Sequence, residues 1–463
     1  MPQSAVTSRP DGAWKARRSL AITGLALVLA LAPLAAHADS IPIVRDAETE
    51  ALIRDYLLPV EKVAGVSLPK IHIVNDQTFN AFVTGRDDLF INVGAILQSE
   101  TPNELIGVLA HETGHMANDD VAHFMEQLQQ VREAALIASL LGIGAAAVGA
   151  ATGSSGVNSV GVGVMTASSS IADRSLLSYR RDQESAADRN AIKYLTATGQ
   201  SGAGILATMK RLADQSLLLS ANANPYLQTH PLPPERVQQL EELVANSPYT
   251  NRRDPPELQL RHDLVRAKLA AFTWPAMQTL RRYPISDTSL PARYARAIVA
   301  YRTGAPGPAE TQIDDLIRAS PNDPYFYELK GQSLLETGSP QAAIAPLQNA
   351  VSLSGSNIIR IMLGQALVAV GGAANAQAAI KTLTVALQAE PDMGVGYRAL
   401  GRAYALGGDE PMAQLATAEG LFADGDYGEA RIQATRAQAK LKRGSPSWLR
   451  ADDIVTYKPT KPQ

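Results

Sequence analysis

Thr101-Pro102-Asn103-Glu104-Leu105-Ile106-Gly107-Val108-Leu109-Ala110-His111-Glu112-Thr113-Gly114-His115-Met116 is the stretch on which the reading of this chain turns. Thr101 has the chemistry of an N-cap, Pro102 suits the first helical position and Glu104 completes a capping box, so a helix is expected to start at Pro102. Leu105, Val108, Leu109 and Met116 recur at helical spacing, which makes this a core-facing helix rather than a solvated one. His111 and His115, four apart, then project from one face and can grip one zinc ion. Glu112 lies beside the pair, where a carboxylate can take a proton from a water that the metal polarises. An H-E-x-x-H string also arises by chance. Histidine is scarce here, however: there are seven in 463 residues, and His111, His115 and His123 lie close together.

The chain is 46% hydrophobic, carries a formal net charge of -3 and has no cysteine. Its length leaves room for two or three domains with a sizeable core. No basic block occurs beyond the N-terminus, which argues against nucleic acid as a partner. Disulfides and a lipidated N-terminal cysteine are excluded, so stability must come from the core and the metal. Lys15, Arg17 and Arg18 precede an apolar run from Leu20 to Ala36, and Ala36-His37-Ala38 stands before Asp39. That pattern reads as a secretory signal peptide over residues 1–38, cleaved after Ala38. A membrane anchor is the other reading, but about 15 apolar residues broken by Pro33 fall short of the roughly 20 that a span needs. The compartment expected is the periplasm of a Gram-negative bacterium.

A helix is expected from Asp46 to Val60, then strands over Lys70 to Asn75 and Leu89 to Val93. They form a small sheet next to the metal helix, and Asn80-Ala81-Phe82 lies between them as a candidate edge strand for an extended substrate. Residues 134–172 contain no charge. They read either as a membrane hairpin or, because Gly142, Gly144, Gly149, Gly153 and Gly156 break the run, as a small-residue helix and loop with peripheral membrane contact. Farther on, Glu184 in Arg181-Asp182-Gln183-Glu184-Ser185-Ala186-Ala187-Asp188 is the preferred third zinc ligand over a plain surface carboxylate. Asp188, one turn later, can orient a ligand histidine through its outer nitrogen. Residues 251–256 look like a linker. Beyond them Gly331, Gly364 and Gly401 recur. Tyr397, Leu400, Tyr404 and Ala413 follow tetratricopeptide spacing, as do Tyr327, Leu334, Ala343, Leu347 and Ala350, whereas the middle unit is degenerate around residues 371–374. Stacked hairpins of this kind offer a concave peptide-binding surface; a plain helical bundle is the alternative. The domains expected are therefore 39–250 for the peptidase and 251–456 for the repeats.

With His111-Glu112-Thr113-Gly114-His115, Glu184-Ser185-Ala186-Ala187-Asp188 and Thr229-His230-Pro231 in this order, the chain resembles the zinc metallopeptidases related to the CAAX prenyl endopeptidase. The resemblance implies an α+β zincin-like metalloprotease domain followed by an all-α tetratricopeptide-repeat solenoid. It also implies one zinc per chain on His111, His115 and Glu184, with Glu112 as base. Misfolded or misassembled outer-membrane β-barrel precursors are the implied substrates, and the outer-membrane β-barrel assembly machinery the implied partner. Asn80 and Arg236 would bind substrate. His230 would sit over the site as an oxyanion stabiliser, as a fourth zinc ligand that keeps the enzyme latent, or merely as a cap for the next helix. The basic, histidine-containing continuation of the metal helix seen in relatives is replaced here by Asn118-Asp119-Asp120, so His123 receives no role. The rival to a working endopeptidase is an assembly chaperone with a mostly latent protease. A membrane-embedded prenyl-protein endopeptidase would need several spanning helices, which the sequence does not offer.

Overall fold

The computed structural model describes residues 42–131, 133, 155–218 and 224–459. The expected signal peptide and the first half of the uncharged segment, residues 134–154, lie outside the described residues. No described helix is long and apolar enough to cross a membrane.

Alternation of apolar residues builds a four-stranded sheet from β1 (Ile43–Val44), β2 (Lys70–Val74), β3 (Ala81–Val83) and β4 (Asp88–Asn92), in the order β1-β2-β4-β3. β2 and β4 are parallel, and the outer pairs are antiparallel. Ile71, Ile73, Ala81, Val83, Leu89 and Ile91 turn to one face and are buried under α1 (Ala47–Ala64) and α3 (Pro102–Asn118). The strands thus follow the period of two, and β3 stands at the edge, next to α3.

α2 (Val93–Gln98) leads into α3, the metal helix, which starts where its cap demands. Thr101 Oγ1 accepts from Glu104 N at 3.3 Å, while the Glu104 carboxylate reaches Glu100 N at 3.3 Å and pairs with Arg211 at 2.8 Å. Leu105, Val108, Leu109 and Met116 are all buried. The helix stops at Asp119, whose φ of 56° lies in the left-handed region that Asp tolerates better than most residues. The chain then turns into α4, residues 120–131. α5 (Ser155–Ala197) lies close along α3, because a Cβ at Gly114 would already be 3.1 Å from the Ala187 backbone. α6 (Ala203–Leu218), α7 (Pro225–Thr229) and α8 (Pro234–Ala245) complete this region.

The stretch read as a linker is packed: Asp254 Oδ2 accepts from Asn103 N at 3.0 Å, at the start of α3. α9 (Pro256–Thr273) follows at once, and a single apolar core runs from Leu52 and Ile73 through Leu109 and Leu264 to Tyr294 and Leu329. α10 (Ala276–Arg282), α11 (Leu290–Arg302) and α12 (Pro306–Ala319) lead into stacked hairpins. These are α13 (Pro324–Glu336) with α14 (Pro340–Ser354), α15 (Asn357–Val370) with α16 (Ala373–Ala389), α17 (Gly394–Leu406) with α18 (Glu410–Ala423), and α19 (Tyr427–Lys440) with α20 (Pro446–Thr456). The recurring glycines mark where two helices of a hairpin meet. A Cβ on Gly331 would lie 2.4 Å from Leu347, and one on Gly364 would lie 2.4 Å from Leu383. The degenerate middle unit is a complete hairpin. The architecture is an α+β region followed by a helical-repeat solenoid, and the solenoid returns to the sheet: Arg45 pairs with Glu390 at 2.6 Å and Lys70 with Asp392.

Candidate metal centre

Four buried donors converge between α3, α5 and the turn after α7: His111, His115, Glu184 and His230. His111 Nε2 is 3.1 Å from His115 Nε2 and 3.4 Å from Glu184 Oε2; His115 Nε2 is 3.6 Å from Glu184 Oε1; His230 Nδ1 is 3.0 Å from Glu184 Oε1. A tetrahedral ion with ligands at about 2.1 Å has ligand-to-ligand edges of about 3.4 Å, so this donor set fits one zinc-sized ion. Glu112 adds a further sign. Among the described residues, both of its oxygens and His230 Nε2 are buried with no hydrogen-bond partner, and Glu112 Oε1 is 3.6 Å from that nitrogen. Buried polar atoms are rarely left orphaned, so the site is shaped for a charged and hydrated guest.

The outer nitrogens of the α3 histidines are held as well. His111 Nδ1 lies 3.0 Å from Asp188 Oδ1, and His115 Nδ1 lies 2.7 Å from Asp120 Oδ2. Asp120 reaches that place because the left-handed turn at Asp119 folds the chain back over the end of α3. Arg236 on α8 grips the other side: Nε and Nη2 donate to Asp188 at 2.5 and 2.8 Å, and Nη1 pairs with Glu184 Oε2 at 2.7 Å. The same Nη1 donates to the Pro231 carbonyl at 3.1 Å. Arg180 on α5 donates to the Thr229 carbonyl at 2.9 Å while its guanidinium stands over Phe124. His230 is therefore fastened on both flanks, through Thr229 and through Pro231. Tyr226 stacks on the His230 ring at 4.6 Å and meets Phe79, just before β3, edge-on at 5.4 Å.

Burial dominates the electrostatics. It pushes the Glu112 carboxyl up to about 8, with the Glu184 charge adding to the effect. Burial also pushes the His230 imidazole down to about 4, which leaves a lone pair free for a metal at neutral pH. Burial works against the charged form of Glu184 too, but His230, His111 and Arg236 overcome it and hold that carboxyl well below its ordinary range. Asp188 is likewise lowered against burial, chiefly by the Arg236 guanidinium.

The geometry brings together His111, Glu112, His115, Glu184, Asp188, His230 and Arg236. Asn80, at the start of the edge strand, is buried, and its Oδ1 has no partner among the described residues. Arg236, expected to bind substrate, is 4% exposed and faces the two carboxylates instead. Sequence reasoning missed Asp120, Arg180 and Tyr226. Only Asp120 carried a local signal, an acidic residue one turn beyond a metal-binding histidine.

The sequence model described as Peptidase family M48 matches residues 45–244, a span that holds every residue of this cluster. The chain is 25% identical over 392 residues to a beta-barrel assembly-enhancing protease of Yersinia pestis, covering 82% of this chain and 77% of that protein. Against the protein of the same name in Escherichia coli it is 24% identical over 391 residues, covering 82% and 76%. A protease HtpX homolog of Tropheryma whipplei is 43% identical over 60 residues, which are 12% of this chain and 21% of that one.

Proposed function

From the premise that residues 45–244 are a metallopeptidase domain of family M48, we propose that the protein is a periplasmic zinc endopeptidase acting on misfolded or misassembled polypeptides, outer-membrane β-barrel precursors among them. The observation that carries this reading is the four-donor cluster with Glu112 beside it. His111, His115 and Glu184 would hold one zinc ion, which supplies Lewis acidity to the scissile carbonyl and to water. Asp188 and Asp120 set the tautomers and orientation of the two imidazoles. Glu112, beside the donor cluster with both carboxylate oxygens buried, accepts the proton of the attacking water and returns it to the leaving nitrogen. Arg236 is a positioning residue that keeps Glu184 and Asp188 in place. Asn80 and β3 hold the substrate backbone.

His230 serves as a latch. Its ring nitrogen stands among the donors rather than above an open site, so the resting enzyme is closed until a client displaces the loop. This position speaks for the latch over an oxyanion or helix-cap role. The proposed units are a signal peptide over 1–38, the peptidase over 39–250 and the repeats over 251–456. A groove of about 890 Å3 along α13, α15 and α17, edged by Leu335, Val368, Val395 and Arg402, supports client or partner capture by the repeats. The partner proposed is the outer-membrane β-barrel assembly machinery, in line with the name of the beta-barrel assembly-enhancing protease relatives.

The same latch favours a second reading, an assembly chaperone whose protease is mostly silent. Complementation with Glu112→Gln separates the two. Loss of outer-membrane protein quality control supports the peptidase, whereas full biological activity from that variant assigns the work to the chaperone.

A further inference from the structure

One row of side chains crosses the second face of the sheet: His72 on β2, Phe90 on β4 and Phe82 on β3 are cross-strand partners. Their rings form a ladder. His72 stacks on Phe90 at 4.5 Å and 14°, and Phe90 on Phe82 at 5.0 Å and 5°. His72 is anchored by Asp88 at 2.7 Å, which fixes the inner end. The outer end, Phe82, lies on the edge strand, and all three rings are partly exposed.

The backbone shows what can add to that edge. Asn92 N donates to Asn80 O at 2.9 Å and Thr84 N to Asp88 O at 3.1 Å. With Phe82 opposite Phe90, residues 80, 82 and 84 thus turn their backbone groups toward β4. Ala81 and Val83 turn theirs to the open side, where nothing bonds them among the described residues. The buried, unpartnered Asn80 Oδ1 is a second, independent acceptor at the start of this strand. An extended chain added antiparallel would bond to Ala81 and Val83. Its residue opposite Phe82 would then form a non-hydrogen-bonded pair, the kind in which Cα atoms approach to about 4.5 Å and side chains lie closest. That side chain would share Phe82's face of the sheet. The hairpin bearing β3 is also tied to the end of the metal helix through Arg86 and Asp119 at 3.1 Å. The register between the paired residue and the site is therefore constant.

We propose that Phe82 forms a substrate subsite selective for an aromatic side chain, which stacks as the fourth ring of the ladder at one fixed distance from the cut bond. Phe90 and His72 are positioning residues that hold the Phe82 ring flat against the incoming one. This rests on the endopeptidase reading given above. Offset or edge-on aromatic pairs gain about 0.5–1.5 kcal/mol beyond their area, which corresponds to a preference of about two- to tenfold over an aliphatic side chain at that position.

The test is cleavage-site profiling by mass spectrometry. The full chain loaded with zinc, and its His230→Ala form with the latch removed, are given a mixture of unstructured peptides. The expected result is enrichment of Phe, Tyr or Trp at a single position relative to the cut, lost in Phe82→Ala and kept in Phe82→Tyr. Phe82→Leu keeps apolar bulk at the edge, should lose most of the enrichment, and guards against a folding defect in the alanine variant. Cutting with no aromatic enrichment at any position, or with enrichment unchanged in Phe82→Ala and Phe82→Leu, overturns the inference while leaving the peptidase reading intact. No cutting by either form with zinc bound overturns the peptidase reading, and the inference with it.

Discussion

Replacing Arg180 by alanine tests the latch without touching any donor to the metal. Arg180 spans from α5 to the Thr229 carbonyl at 2.9 Å and the Gln228 carbonyl at 3.4 Å, so it contributes to the closed loop alone. Its contact with Phe124 joins two residues outside the loop and persists when the loop opens, so that term does not bias the equilibrium. A hydrogen bond from a charged donor is worth about 1.5–3 kcal/mol, and partial exposure of Arg180 places it at the low end. Losing about 1.4 kcal/mol from the closed state raises a small open population roughly tenfold. The second tether, Arg236 to Pro231 at 3.1 Å, remains and limits the effect. The assay is the initial rate of cleavage of labelled casein, normalised to bound zinc. The expected outcome is a rise in kcat/KM of about tenfold at unchanged zinc occupancy, with His230→Ala rising at least as far. An Arg180→Ala enzyme with full zinc and an unchanged or lower kcat/KM refutes the latch.

Glu184→Ala should lower zinc content well below one per chain together with activity, as measured by elemental analysis after dialysis; unchanged zinc removes Glu184 from the ligand set. Arg236→Met strips two buried carboxylates, Glu184 and Asp188, of their guanidinium partner and should destabilise the metal-free protein by about 3–5 kcal/mol, with zinc restoring part of the loss in a thermal melt. His262, whose Nε2 donates to Ser99 O at 2.8 Å and whose Nδ1 accepts from Tyr56 at 3.1 Å, is pushed by burial from 6.5 down to about 4. The unfolded chain takes this proton as pH falls through 6.5 while the fold refuses it until about 4. Stability is thus intact above 6.5 and lost between the two, by about 3 kcal/mol at pH 4. The acid dependence of unfolding should be correspondingly shallower in His262→Gln, and equal slopes contradict the assignment.

Much of this site is written locally. Thr101 and Pro102 start α3, the four-residue spacing of His111 and His115 puts both on one face, and the Glu184 to Asp188 spacing repeats that logic on α5. The glycines at 331 and 364 likewise announce close helix pairs, because nothing larger fits beside Leu347 and Leu383. What escaped the sequence depends on where the chain goes next. Asp120 faces His115 only because Asp119 adopts a left-handed turn, and a basic residue such as Arg236 reads as a substrate anchor until its carboxylate partners on α5 are seen. Residues 251–256 look like a linker by composition, yet Asp254 fastens them to α3. The pairs Arg45 with Glu390 and Lys70 with Asp392 join segments more than three hundred residues apart, and no local pattern encodes them.

The first shell of the metal in the resting, zinc-loaded protein bears most directly on the account, and X-ray absorption of wild type and His230→Ala reads it. The prediction is one zinc per chain with three imidazole nitrogens and one carboxylate oxygen, changing to two nitrogens and added water oxygen in His230→Ala. A resting site that already has two nitrogens and water, and is unchanged by that substitution, contradicts the closed centre.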